Sequence, residues 1–337
     1  MSVNKTLHLV YFFLLKAPAC YSKEFTSVPA NAMICRMRIG IDMGGTKIEG
    51  IVIDARGHEC ARLRVSTPAG DYSATVRAVA GLVDVLANQT NLADDVPLGI
   101  GIPGALSPTT GLIKNSNSTC LIGNPLDRDL AEATGRAVRL ANDANCFAVS
   151  EAIDGAGVGY TVIFGVILGT GVGGGISIDG TFRGGTNAIA GEWGHNPLPW
   201  PQVFDERDER PGEPCYCGQA GCIETFLSGP GLTRDHERHT GHHATADTIS
   251  NEATLKRYEH RLARALASII NVLDPDLIVL GGGLSNRQRL YENVPKLWHE
   301  WIFSDACSTS LVPNLHGDSS GVRGAAWLWP LKSGQAV

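Results

Sequence analysis

GEWGHNPLPW at residues 191–200 and CYCGQAGCIE at residues 215–224 form the most informative stretch of this 337-residue chain. Together they hold one imidazole and three thiols: His195, Cys215, Cys217 and Cys222. These four side chains are a complete ligand set for tetrahedral zinc, and the Cys-x-Cys-x4-Cys spacing suits a tight turn around one ion. A closed set of four ligands leaves no position for a reacting water, so the pattern predicts a structural zinc. A surface disulfide beside an unrelated histidine is the alternative.

Two carboxylates flank this predicted metal site. Glu192 precedes the histidine by three residues, and Glu224 follows the last cysteine by two. A metal that fixes both flanks would hold these two acids in place. Fixed hydrogen-bond acceptors are what a site needs to bind a polyhydroxy ligand and align one of its hydroxyls, so the stretch predicts binding of such a ligand.

Length, charge and cysteine content narrow the class of protein. The chain is long enough for two domains. Its net charge of −6 argues against a nucleic-acid-binding surface. Nine cysteines, three of them grouped as metal ligands, fit a reducing compartment, so a cytoplasmic protein without a membrane span is expected.

The first 36 residues conflict with a cytoplasmic location. The run from Leu7 to Leu15 resembles a weak signal peptide and is too short to cross a bilayer as a helix. Met37 stands directly before the first predicted strand. We therefore hypothesise that Met37 is the natural start and that residues 1–36 are an extension outside the fold.

Three glycine-rich segments follow apolar strands and allow backbone N–H groups to approach an anion. The segments are Asp42 to Lys47, which contains Gly44, Gly45 and Thr46; Gly169, Thr170 and Gly171; and Gly281, Gly282 and Gly283. The first two share an order of strand, Gly/Thr loop, strand and Asp-containing turn, which indicates an internal repeat and favours two phosphate-binding loops. For the first segment the alternative is an ordinary hairpin. We expect the third segment to lie under a nucleoside, and the alternative there is a simple turn. Asp42 is expected to hold Mg²⁺ through water.

Two further strand ends carry polar or glycine residues. Asn142 and Asp143 stand where a strand from Ala137 to Leu140 gives way to a helix, and Asp143 is read either as a helix cap or as a functional acid. Gly104 follows the buried strand from Val96 to Ile102. Ligands bind at the carboxyl ends of strands in α/β sheets, so both positions are candidates for the site.

Six motifs occur in an order that resembles the ROK family of repressors and sugar kinases: DMGGTK at Asp42, IGIPG at Ile100, NDAN at Asn142, GTGVGGG at Gly169, GEWGH at Gly191 and CYCGQAGCIE at Cys215. The resemblance covers Met37 to about Trp329 and implies an α/β, two-domain actin/hexokinase-like (ribonuclease H-like) fold with a cleft between the domains. The implied domains are a small one, residues 37–140 joined by a C-terminal helix at 318–332, and a large one, residues 141–317.

The resemblance also implies roles for individual residues. Asp143 would be the catalytic base that activates a sugar hydroxyl for attack on the γ-phosphate of ATP. The sugar would be held by Gly104, Asn142, Asp143, Glu192, His195 and Glu224. ATP and Mg²⁺ would be bound by Asp42, Gly44, Gly45, Thr46, Lys47, Gly169, Thr170, Gly171, Gly281, Gly282 and Gly283. The zinc ligands would be His195, Cys215, Cys217 and Cys222.

The substrate expected from this resemblance is fructose, converted to fructose 6-phosphate, because LANDANC, GCIETF and HGDSSGVRGAAWLWP are similar to the bacterial fructokinase group. A kinase of N-acetylglucosamine, mannose or glucose is the alternative. A sugar-responsive repressor would need a DNA-binding domain ahead of Asp42, for which residues 1–36 are too few. An actin-like ATPase without a small substrate leaves Glu192, His195 and Glu224 unexplained. The family suggests a homodimer.

Overall fold

The structure, a computed structural model, describes residues 37–204 and 207–329. Its strands are β1 (Arg38–Met43), β2 (Lys47–Ile53), β3 (Glu59–Ser66), β4 (Leu98–Ile102), β5 (Ala105–Leu106), β6 (Ile113–Lys114), β7 (Val138–Asn142), β8 (Val162–Leu168), β9 (Val172–Ile178), β10 (Thr181–Phe182), β11 (Val203–Phe204), β12 (Arg207–Asp208), β13 (Leu277–Gly281) and β14 (Ser310–Pro313). Its α-helices are α1 (Tyr72–Thr90), α2 (Leu126–Thr134), α3 (Asp143–Ile153), α4 (Ile223–Leu227), α5 (Gly229–Thr240), α6 (Glu252–Leu273), α7 (Arg289–Leu297) and α8 (Ser320–Trp327).

Two five-stranded sheets share one topology. The first has the order β3-β2-β1-β4-β7 and the second β10-β9-β8-β13-β14. In each, an antiparallel hairpin (β1 with β2, or β8 with β9) is followed on the other side by two parallel strands. The repeat that the sequence indicated at the two Gly/Thr loops therefore extends to the whole sheet.

Each sheet has its own apolar core. Buried side chains of β1, β4 and α1 form one core, whereas those of β8, β13 and α6 form another. Both helices have defined ends: Asp71 caps the start of α1, where its carboxylate accepts the Ala74 N–H at 2.9 Å, and Asp274, which has a left-handed backbone, caps the end of α6. All described residues belong to one compact unit.

Helix α8 packs against α3 and against β1, β2 and β4 of the first sheet. The approach is so close that a Cβ at Gly99 would lie 1.8 Å from the Ala325 carbonyl oxygen, and one at Gly324 would lie 1.7 Å from that of Cys146. Only glycine permits these distances. The C-terminal helix therefore packs on the first sheet; the division into domains stays a prediction.

Glu151, which is fully buried on α3, ties that helix to the start of α8. One carboxylate oxygen accepts the Ser320 hydroxyl at 2.7 Å. The other accepts two backbone N–H groups, from Ala156 at 2.9 Å and Leu315 at 3.2 Å. Because Asp143 is the first residue of the same helix, Glu151 fixes the far end of the element that carries it.

Replacing Glu151 with alanine is expected to lower the free energy of unfolding by about 2–4 kcal/mol, because three buried donors lose their acceptor and a cavity remains. Glutamine is the matched control: its carbonyl oxygen can accept both N–H groups while its amide donates to Ser320, so most of the stability should return. Urea unfolding measures both. Equal losses for alanine and glutamine would contradict this account of the contact.

Residues 1–36 lie outside the described residues. The signal-like run from Leu7 to Leu15 and the hypothesis that Met37 is the natural start therefore stay predictions. Within the described ranges, none of the helices has both the length and the apolar character that a membrane crossing requires.

Candidate active site

The four predicted metal ligands come together in space. Their ligand atoms all lie within 4.8 Å of one another, with His195 Nδ1 3.6 Å from Cys215 Sγ and Cys217 Sγ 3.6 Å from Cys222 Sγ. Tetrahedral zinc with bonds of about 2.0–2.3 Å separates its ligands by roughly 3.3–3.8 Å, so this donor set fits the ion. All three cysteines are unbridged, and the disulfide alternative is therefore rejected.

Backbone hydrogen bonds join the two halves of this metal-ligand cluster. The Leu198 N–H donates to the Gly221 carbonyl at 2.9 Å, and the Ile223 N–H donates to that of Asn196 at 2.8 Å. Gly194, the residue before His195, lies against Val172 of β9. A Cβ at Gly194 would be 2.3 Å from the Val172 carbonyl oxygen. The segment that carries Glu192 and His195 is thus fixed to the second sheet.

Glu224 reaches the turn between β8 and β9. Glu224 lies in the first turn of α4, the helix that the metal ligand Cys222 caps. Its Oε2 accepts the Val172 N–H at 2.9 Å. A Cβ at Gly171 would lie 2.7 Å from the same oxygen. The structure therefore places a predicted sugar-binding acid beside a predicted phosphate loop.

Asp143 stands at the start of α3, but Asn142 is the cap of that helix. Asn142 has an extended backbone, its side-chain oxygen accepts the Ala144 N–H at 2.9 Å, and its amide donates to the Gly104 carbonyl at 3.3 Å. Asp143 Oδ1 also accepts the Ala144 N–H, at 2.8 Å, while the residue remains open to solvent. The capping interpretation thus belongs to Asn142, and Asp143 is the first residue of the helix.

Two carboxyl groups at the end of the first sheet, those of Asp42 and Asp143, have raised pKa values. Restricted solvation, followed by the negative charge of Glu192, raises the pKa of Asp143 to about 6, against a lowering by the Ala144 N–H. Burial, followed by the charges of Asp143 and Glu49, raises the pKa of Asp42 to about 7. Neighbouring negative charge that raises the pKa of Asp42 and of Asp143 favours a bound cation, and oxygen donors suit Mg²⁺.

The first glycine loop is a tight hairpin turn with exposed residues. Gly45, Thr46 and Lys47 are exposed, and the Gly44 N–H donates to the Lys47 carbonyl at 2.9 Å. Thr67 on the neighbouring segment fixes the turn through its hydroxyl, which donates to the Gly44 carbonyl at 2.7 Å. This turn is therefore accessible to an anion.

The other two glycine loops lie side by side on the second sheet. Gly169 to Gly171 form the turn between β8 and β9, with Thr170 exposed. Gly282 has a φ of +80°, and a Cβ there would lie 2.5 Å from the Leu168 carbonyl oxygen, directly before that turn. That these loops and the first one enclose a polyphosphate from two sides stays a prediction.

A cleft of about 1220 Å³ opens in front of the metal-ligand cluster. Glu192, His195 and Tyr216 line one side, and Lys114 to Asn117 line another. The Lys114 ammonium donates to the Asn187 carbonyl at 2.8 Å, so a segment that follows the first sheet contacts one from the second. Sequence reasoning missed Lys114 to Asn117 and Tyr216; the position of Tyr216 between two ligands was the available signal.

Two sheets of one topology, a packed pair of helices (α3 and α8) and a large polar-edged cleft are the features of an actin/hexokinase-like phosphotransferase fold. Residues 38–332 match the ROK family. The chain belongs to the ROK family and is a sugar kinase of that fold.

Similar proteins agree with this assignment. The chain is 40% identical over 301 residues to an N-acetyl-D-glucosamine kinase of Vibrio cholerae, covering 87% of this chain and 99% of that one. It resembles the crystal structure of a ROK hexokinase from Thermus thermophilus, with a TM-score of 0.74 and 27% identity over 87% of this chain and 97% of the other. It also resembles a ROK glucokinase from Streptomyces griseus in complex with glucose and AMPPNP, with a TM-score of 0.66 and 26% identity over 86% and 98%.

The fructose prediction is corrected by these relatives. Several proteins that are 38–40% identical over almost their whole length are named N-acetyl-D-glucosamine kinase, which was the alternative substrate. The physical reason is that the motifs quoted for fructose lie at the start of α3, at the start of α4 and in α8, where they determine the framework of the site. These parts serve any hexose, whereas the preferred sugar depends on the shape of the pocket.

Proposed function

We propose that this chain transfers the γ-phosphoryl group of ATP to a hydroxyl of N-acetyl-D-glucosamine. The names of the relatives support the sugar. The observation that supports the chemistry is Asp143, a solvent-accessible carboxylate with a pKa raised to about 6, whose charge interacts with Glu192 of the cleft. The homodimer and the cytoplasmic location stay predictions.

In this proposal Asp143 accepts the proton of the sugar hydroxyl. Phosphoryl transfer has a loose transition state, so its main requirements are a positioned hydroxyl and donors for the phosphate oxygens. Asn142 and Gly104 fix the base through the hydrogen bonds at the start of α3. Glu192, His195 and Glu224 hold the remaining hydroxyls of the sugar, since each is fixed by the metal-ligand cluster or by β9.

The donor nucleotide would be bound by the glycine loops. Gly44, Gly45, Thr46 and Lys47 on one sheet, and Gly169, Thr170 and Gly171 on the other, would contact the phosphates. Gly281, Gly282 and Gly283 would lie near adenosine. Asp42 would hold Mg²⁺ through water, and the ion, when bound, neutralises phosphate charge.

We also propose that the metal of the cluster is Zn²⁺, bound by His195, Cys215, Cys217 and Cys222. Three soft thiolates and one imidazole favour zinc over magnesium or calcium. Four protein ligands leave no open position, so the role of the ion is to organise the residues around it.

A sugar panel tests the substrate. ADP release is measured with ATP and Mg²⁺ for N-acetylglucosamine, glucose, mannose, fructose and N-acetylmannosamine, and kcat/KM is compared. We expect the highest value for N-acetylglucosamine. A higher value for any other sugar would contradict the proposed substrate but not the kinase chemistry, whereas ADP release that no sugar stimulates would contradict both.

The pH dependence tests the base. Asp143 can accept a proton only when ionised, and its pKa is raised to about 6. We therefore expect kcat/KM to be constant above about pH 7 and to fall tenfold per unit below about pH 6. Because the charge of Glu192 contributes to the raised value, Glu192→Gln should move the break to lower pH. A profile that stays flat down to pH 5 would contradict the assignment.

A further inference from the structure

Tyr216 is a cleft residue that none of the roles above includes. It stands between the metal ligands Cys215 and Cys217, yet 73% of its surface is exposed. It lines the same cleft as Glu192 and His195. A tyrosine combines a large aromatic ring with a polar hydroxyl, so at the edge of a cleft it can contact a polar ligand.

The hydroxyl of Tyr216 contacts the imidazole of His195. Tyr216 Oη lies 2.9 Å from His195 Nε2. The two rings meet edge to face, with centroids 5.1 Å apart and an interplanar angle of 89°. This geometry fixes the orientation of the imidazole from the side opposite the thiols.

The two nitrogens of His195 serve different partners. Nδ1 faces Cys215 Sγ at 3.6 Å, on the metal side of the ring, whereas Nε2 faces Tyr216 at the cleft. A metal on Nδ1 leaves the ring proton on Nε2, which then donates to the tyrosine hydroxyl. This N–H is one donor and can make one good hydrogen bond at a time.

We propose that Tyr216 occupies, in the sugar-free protein, the hydrogen-bond position on His195 that a hydroxyl of the hexose takes on binding. The inference rests on the proposed function, because it requires His195 to hold the sugar. Tyr216 keeps the imidazole oriented towards the thiols before the sugar arrives. The same contact opposes sugar binding, since the tyrosine hydroxyl must be displaced from Nε2.

Tyr216→Phe tests this exchange because it removes the hydroxyl and keeps the ring. The dissociation constant of the sugar with the highest kcat/KM in the panel is measured calorimetrically without ATP. We expect it to fall about three- to tenfold, the equivalent of one hydrogen bond that no longer has to be broken. KM should fall with it while kcat stays within about twofold, as expected for a change in binding alone.

Two further readouts do not depend on turnover. Metal analysis should give the same zinc content for Tyr216→Phe and for the unchanged protein, because all four ligands remain. In NMR spectra of the sugar-free protein, the Nε2 proton of His195 should exchange with water faster in the variant, since it has lost its acceptor. Tyr160→Phe, an exposed tyrosine that does not line this cleft, is the matched control and should leave the sugar affinity unchanged.

Unchanged sugar affinity in Tyr216→Phe would overturn the proposal and leave Tyr216 a role in supporting the histidine alone. Weaker binding would overturn it in the other direction, because the hydroxyl would then bind the sugar itself. If the panel shows a different sugar from the one proposed, the same measurement is made with that sugar. A failed substrate proposal and a failed exchange are therefore distinguishable.

Discussion

Asp143→Asn is expected to lower kcat for sugar phosphorylation by about 10²- to 10⁴-fold, the usual contribution of a positioned general base. The substitution removes the proton-accepting charge and little else. The amide oxygen of asparagine can still accept the Ala144 N–H that Asp143 Oδ1 accepts at 2.8 Å. Asn142 remains the cap of α3, so the helix should begin at the same residue.

The measurement is single-turnover ADP release together with calorimetric binding of the sugar. Sugar affinity in Asp143→Asn should stay within a few-fold of that of the unchanged protein, since Glu192, His195 and Glu224 are intact. Asp305→Asn, in an exposed segment, is the matched control and should keep full turnover. Turnover above one tenth of the original rate in Asp143→Asn would remove the residue from the role of base.

Cys222→Ser is expected to lower both metal content and sugar phosphorylation, with kcat/KM falling about 100-fold or more. Loss of an outer partner of a metal site already costs 10- to 100-fold, and Cys222 is a ligand. The residue is only 1% exposed and forms the cap of α4, which carries Glu224. Without the metal, Glu224 keeps its hydrogen bond with the Val172 N–H and His195 keeps its contact with Tyr216, but the cysteine side of the cluster no longer fixes either residue.

Cys307→Ser is the matched control, because Cys307 is a half-buried free thiol outside the metal-ligand cluster. It should keep both metal and activity. Far-ultraviolet circular dichroism of Cys222→Ser should match that of the unchanged protein, since the two sheets have separate apolar cores. A metal-free Cys222→Ser protein with unchanged kcat/KM would show that sugar phosphorylation does not depend on the metal-ligand cluster.

The sequence predicted those parts of the fold that a short local pattern specifies. The four ligands at His195, Cys215, Cys217 and Cys222 came together as predicted, because few arrangements satisfy three thiols and an imidazole at that spacing. The sequence also indicated one repeated unit of strand, Gly/Thr loop and strand; the structure contains both hairpins and extends the repeat to two sheets of the same strand order.

The glycines of β9 show why other parts were not predicted. The glycine run at residues 173–175 is typical of a loop, yet these residues lie inside β9, which starts at Val172. A Cβ at Gly175 would lie 2.1 Å from the Ala144 carbonyl oxygen, and one at Gly174 would lie 2.6 Å from Trp193 Cδ1. These glycines admit a helix and an aromatic ring to the face of the strand, a tertiary requirement that the sequence pattern does not distinguish from a turn.

The candidate site also has features that only the three-dimensional structure reveals. The cap of α3 is Asn142 rather than Asp143, and only the backbone geometry distinguishes between these two residues. The contact of Tyr216 with His195 joins residues 21 apart and has no periodic signal. The choice of sugar was wrong because the preferred sugar depends on the shape of the pocket, which short sequence motifs do not specify.

The central claim is that an ion held by His195, Cys215, Cys217 and Cys222 fixes the side chains that bind the sugar. A zinc titration tests it most directly: metal is removed by chelation, Zn²⁺ is returned in steps, and metal content and sugar phosphorylation are measured on the same samples. We predict that turnover rises in proportion to bound zinc and levels off at about one ion per chain. Full turnover in metal-free protein would contradict the claim.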